Sequence, residues 1–152
     1  MQQQSKRVLV VDDDFEIRNL LSGAFAQQGL TVDTAHDGEN AIGLIAQTPY
    51  SVIVLDLVMP GVDGFAVLDY VRANKAETPP VVLVVTGADE PIVEQLDPSL
   101  VHGIMRKPFD VHDVTNIVVA CAEIRSRSTF DKMAIAALFA APPIMAWLSR
   151  LQ

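Results

Sequence analysis

Along residues 1–125, short apolar runs alternate with longer segments whose apolar positions recur every three or four residues. Val8 to Val11 is unbroken apolar sequence, the pattern of a strand buried on both faces. Phe15, Ile17, Leu20, Leu21, Ala24 and Phe25 then recur at helical spacing until Gly29 closes the segment. Leu30 to Ala35 predicts a second strand, and a helix follows from about Gly38 to Gln47. Ser51 to Leu57 is β-branched and almost wholly apolar, which predicts a third strand. Met59-Pro60-Gly61 and Asp63-Gly64 supply turn chemistry, after which Phe65, Val67, Leu68 and Val71 mark a third helix. Val81 to Thr86 reads as a fourth strand. The helix after it is the weakest, because Pro91 suits a first helical position but Asp97-Pro98 ends the run within about two turns. His102 to Arg106 is a short fifth strand. Asp110 then suits an N-cap, with Asp113 at the third helical position before the stripe Val114, Ile117, Val118, Cys121.

Five β/α units in this order imply an α/β fold with a parallel sheet covered by helices on both faces. In such sheets chemistry collects beyond the carboxyl ends of the strands, near a topological switch point. Strand one ends in Asp12-Asp13-Asp14, strand three in Asp56, strand four in Thr86 and strand five in Lys107-Pro108. Crowded carboxylates repel, and each raises its neighbours' pKa unless a cation is present. Mg²⁺ suits such a set, since it prefers a few carboxylates plus water and phosphate oxygens. A lysine adds a point charge for a phosphoryl oxygen and a threonine adds a hydroxyl. An aspartate nucleophile, Mg²⁺, a lysine and a hydroxyl suffice for phosphoryl transfer, which depends on positioning and charge neutralisation.

The segments VLVVDDD, VIVLDLVMPGVDG, VVT and RKPF, in this order and at these separations, resemble the signature blocks of the response-regulator receiver family over roughly residues 6 to 125. The resemblance implies a flavodoxin-like sheet in the order 2-1-3-4-5. It also implies that Asp13 binds Mg²⁺ directly, Asp12 mainly through water, and that the backbone carbonyl of Val58 completes the metal shell. Asp56 would be both metal ligand and phosphoacceptor, Thr86 and Lys107 would contact the phosphoryl group, and the Lys107-Pro108 bond would be cis. The donor would be a sensor histidine kinase or a histidine phosphotransfer protein. The chain would then be a signalling receiver, not an enzyme acting on other molecules.

Blander readings compete at several positions. Asp14 suits a helix N-cap better than a ligand. His36, His102 and His112 have no ligand spacing and read as structural or solvated, and Asp12-x-Asp14 lacks the glycine of an EF-hand loop. A haloacid-dehalogenase-like phosphatase would use Asp12 as nucleophile, but Glu16 stands where that family wants threonine or valine. A flavodoxin-like carrier lacks its hydroxyl-rich loop after strand one, and a receiver-like binding module without phosphorylation is a further alternative. Two departures from the receiver pattern concern output and lifetime. Ile104 replaces the Tyr or Phe that relatives place three residues before the lysine, so the switch involves Thr86 and a repacking of Ile104. Val58 and Ala88 occupy the positions that tune phosphoryl lifetime, and neither can hold an attacking water, which predicts slow self-dephosphorylation.

Composition changes this picture little. A formal net charge of −8 in 152 residues argues against direct nucleic-acid binding. Cys121, the single cysteine, lies in an apolar run and reads as a buried structural thiol. Met1 to Arg7 lacks the apolar core of a signal peptide, which suggests a cytoplasmic protein. Residues 126–152 form a C-terminal helical extension beyond the receiver unit of residues 1–125. Ile135, Leu138 and Phe139 share a helical face there, and Ile144, Met145, Trp147 and Leu148 follow Pro142-Pro143. Such a face seeks a partner. A second copy of the chain ranks first, giving a homodimer through the extension or last helices; docking on the receiver itself ranks second. A membrane surface ranks last, since basic residues are too few for a strong surface-membrane helix, and Met133 to Leu148 is in any case too short to span a bilayer.

Overall fold

A computed structural model of the chain describes residues 6–76, 78–126 and 132–139. Its elements are β1 (Arg7–Val11), α1 (Phe15–Gln27), β2 (Thr31–Ala35), α2 (Gly38–Gln47), β3 (Val52–Leu55), α3 (Gly64–Ala73), β4 (Val81–Thr86), α4 (Glu90–Val93), β5 (Gly103–Arg106), α5 (Val111–Ser126) and α6 (Lys132–Leu138). The five strands are all parallel and lie in the order β2-β1-β3-β4-β5. This is the flavodoxin-like arrangement, and it places the switch point between β1 and β3.

Side-chain alternation along each strand builds two cores. Val8, Val10, Val54, Leu83 and Met105 face Phe25, Val114 and Val118 of α1 and α5. Leu9, Val11, Ile53, Val84 and Ile104 face Ala41, Val67 and Val93 of α2, α3 and α4. Register aligns the strand ends, because Val11 pairs with Leu55, and Leu55 with Val84. Cys121 is buried in the first of these cores, and loss of solvation pushes its thiol up to about 12.

Aspartates start the helices. Asp14 accepts from the N–H groups of Glu16 and Ile17, Asp37 from Asn40, and Asp63 from Ala66. Asp110 accepts from His112 N–H at 2.7 Å, as expected of the residue before α5. Strand three is shorter than the run Ser51 to Leu57. Leu57 leaves the ladder because its N–H bonds the Asp56 side chain and its carbonyl accepts from Gly64 N–H. The second and fifth strands start one residue later than the apolar runs, at Thr31 and Gly103.

The extension departs from its expected ranking. Ile135 and Phe139 are each 1% exposed and belong to the receiver's own core on the α1/α5 side. The Phe139 ring sits so close over Gly103 that a Cβ there would lie 2.2 Å from it. Docking in cis therefore takes these two side chains, because a glycine on β5 leaves a notch of ring size next to α5. Leu138 packs at the margin of the same core. Ile144, Met145, Trp147 and Leu148 lie outside the described residues, as does most of the uncharged run Met133 to Leu148. Among the described residues, no helix is long and apolar enough to cross a membrane.

Candidate functional site

The carboxyl edge of the sheet gathers the residues singled out in sequence. Asp12 and Asp56 follow β1 and β3 directly, and Asp56 N–H still bonds the Val11 carbonyl at 2.9 Å. Both carboxylates are buried, at 3% and 6% exposure, whereas Asp13 is exposed. One carboxylate oxygen from each of Asp12, Asp13 and Asp56 lies within 4.8 Å of the others. Three hard oxygen donors at that spacing fit a small divalent cation.

Lys107 reaches into the same cluster from the end of β5. Its Nζ donates to Asp12 Oδ2 at 2.8 Å and to Asp56 Oδ2 at 3.1 Å. The Lys107-Pro108 peptide bond is cis. Burial opposes the Lys107 charge, but the hydrogen bond to Asp12 and the charges of Asp56 and Asp12 outweigh it and raise the ammonium above its ordinary value. Asp12 shows the opposite balance. Burial raises its carboxyl above the usual carboxylate value, against the hydrogen bonds from Lys107 and Asp14 N–H. The remaining oxygens are fixed by backbone, with Asp14 N–H on Asp12 Oδ1 at 2.9 Å and Leu57 N–H on Asp56 Oδ1 at 2.8 Å.

Thr86 is fully buried at the end of β4, and its Oγ1 accepts from Ala88 N–H at 3.1 Å. Its carbonyl accepts from Lys107 N–H at 2.9 Å, so the ladder ties threonine and lysine together. Ile104 is buried on the α4 side, whereas the Val58 side chain is 56% exposed beside the acidic cluster. Asp14 is occupied as the cap of α1, which removes the second carboxylate that the phosphatase reading requires. His102 is structural, accepting from Val82 N–H, while His36 and His112 are exposed.

Three contributors escaped the sequence reading. Gly64, read only as a turn residue, lets α3 start against the Asp56 backbone: a Cβ there would lie 2.3 Å from the Asp56 carbonyl oxygen. Arg18 Nη1 donates to the Asp12 carbonyl at 2.6 Å from one turn into α1. Arg106 pairs with Glu90 and with the Ala88 carbonyl. The glycine after Asp63 was a usable signal for the first, but no local pattern marks the two arginines.

The family profile described as response regulator receiver domain matches residues 8–119. The chain belongs to the response regulator receiver domain family. The regulatory protein AtoC of Escherichia coli is 32% identical over 120 residues, covering 79% of this chain and 26% of AtoC. The transcriptional regulatory protein ResD of Bacillus subtilis is 33% identical over 129 residues, covering 85% of this chain and 53% of ResD. The chain thus spans between about a quarter and about half of these relatives' lengths. The signal receiver domain from Bermanella marisrubri superposes with a TM-score of 0.69 at 32% identity, covering 76% of this chain and 97% of that one. The response regulator TrrA of Thermotoga maritima, solved in complex with Mg²⁺ and BeF, gives 0.67 at 28% identity over 76% of this chain and 98% of that one. The chain is a phosphorylatable receiver of the two-component type, a signalling module.

Proposed function

We propose that this receiver takes a phosphoryl group onto Asp56 from a phosphohistidine of a sensor kinase or phosphotransfer protein. The Lys107 ammonium bridging Asp12 and Asp56 carries the reading, because it joins the ends of three strands in one charged site. A carboxylate oxygen of Asp56 forms the new O–P bond as the P–N bond to the donor imidazole breaks. Lys107, with three donors, neutralises charge on the phosphoryl oxygens, and the Thr86 hydroxyl would donate to one of them once the loop after β4 moves inward. Leu57 N–H orients the Asp56 carboxylate throughout. Asp12, Asp13, Asp56 and the Val58 carbonyl would hold Mg²⁺, which supplies charge neutralisation between carboxylate and phosphoryl group.

We read residues 1–125 as the receiver unit, working in the cytoplasm, and 126–152 as an extension that mediates partner or self association. With Ile135 and Phe139 committed in cis, a homodimer would use other surface. Incubation with acetyl phosphate and Mg²⁺, followed by peptide mass mapping, tests the site. One phosphoryl group is expected on Asp56, absent in Asp56→Asn and absent when Mg²⁺ is chelated. A label on Asp12 or Asp13, or one that survives in Asp56→Asn, overturns the assignment. Solution mass of the labelled and unlabelled chain reports whether association changes.

A further inference from the structure

Helix α4 starts differently from its neighbours. α1, α2 and α3 each open with an aspartate whose carboxylate accepts backbone N–H groups. Asp89, at the same position of α4, makes no such bond, and Pro91 sits in the first turn of a helix four residues long. A helix start without a side-chain cap leaves its first turn weakly fastened. The fastening comes from β5 instead. Arg106 Nη1 donates to the Ala88 carbonyl, and Nη2 pairs with the Glu90 carboxylate.

Ala88 is therefore held from both sides. Its carbonyl is gripped by Arg106, and its N–H donates to the Thr86 hydroxyl oxygen. Strand periodicity places Ile104 and Arg106 on the same face of β5, toward α4. Ile104 is packed into the apolar core there and has no polar atom to offer the loop. The arginine two residues on has the length and the forked donors to reach it. Arg106 also shares a peptide with Lys107, whose N–H bonds the Thr86 carbonyl. One dipeptide thus touches the carboxylates on one side and the 87–90 loop on the other.

We infer that Arg106 is a positioning residue that holds the loop after β4, and with it the Thr86 hydroxyl, in the resting arrangement. The inference rests on the phosphoryl-accepting role of Asp56 proposed above. Thr86 is fully buried, so bringing its hydroxyl to a phosphoryl oxygen carries along the loop it is bonded to at Ala88, and Ala88 cannot move far while Arg106 grips its carbonyl. The clamp therefore favours the resting state, and removing it raises the population competent to bind phosphoryl.

Titration of the full chain with beryllofluoride and Mg²⁺, followed by backbone amide resonances around Asp56, Thr86 and Ala88, tests this. Arg106→Gln and Glu90→Gln are each expected to tighten apparent beryllofluoride affinity about two- to fivefold, the range of a partly exposed ion pair. The double variant is expected to match the tighter single variant, because both changes open one clamp. Arg106→Lys, which keeps the charge, is expected to recover part of the wild-type value. Unchanged or weaker binding in Arg106→Gln while the wild-type chain binds overturns the clamp alone. Additive effects in the double variant also overturn it. No binding by the wild-type chain removes the Asp56 reading, and the clamp with it.

Discussion

Gly64 leaves no room for a side chain against the Asp56 backbone, yet it carries no functional group of its own. Its missing Cβ would lie 2.3 Å from the Asp56 carbonyl oxygen and 2.8 Å from Leu57 Cα, both backbone atoms with no rotamer to yield. Its N–H also bonds the Leu57 carbonyl at 3.0 Å, so the loop of residues 58–63 closes on this contact. Gly64→Ala must push α3 away or tilt the Asp56 peptide. Overpacking of this kind costs about 1–3 kcal/mol. A lower urea midpoint and slower acetyl-phosphate labelling are expected together. A variant that keeps both wild-type values would mean that α3 slides without strain. The clustered carboxylates were legible as strand-end residues because apolar runs deliver them to one edge. Close approaches such as Gly64, and the reach of Arg18 to the Asp12 carbonyl, were not, since they depend on tertiary distances that no local pattern encodes.

At the scale of elements, every strand and helix of the receiver follows from hydrophobic periodicity, down to the short α4 that Pro91 and Asp97-Pro98 foreshadow. The partner of α6 was not legible, because an apolar stripe has the same form whichever surface covers it. What decides it is Gly103, whose bare backbone admits the Phe139 ring. Two buried side chains contribute about 1.5–3 kcal/mol each, so loss of either removes a large share of what holds α6 to the receiver. Phe139→Ala is therefore expected to undock α6 while the β-sheet core keeps its unfolding midpoint. Limited proteolysis would read this as faster cleavage within residues 132–139. Unchanged protection would show that Ile135 suffices to hold the helix.

For the molecule as a whole, the two sheet faces answer to different halves of the task. The α2–α4 side carries Ile104 and the loop that holds Thr86, and the α1–α5 side carries the covered notch on Gly103. The lifetime of the phosphorylated state belongs to this scale, because it depends on which loops present polar groups to water above Asp56. The side chains of Val58 and Ala88 present none, so decay after acetyl-phosphate labelling is expected to take many minutes. A half-life of a few seconds would refute this. Cys121 has a practical consequence here. Its thiol is 1% exposed with its ionisation pushed up to about 12, so the native chain carries no readily alkylated sulfur among its described residues. A cysteine introduced at an exposed position such as Leu20 could take a fluorophore or spin label in the otherwise wild-type background. The conformational exchange of this receiver is thus open to single-site spectroscopy without first engineering its own sulfur away.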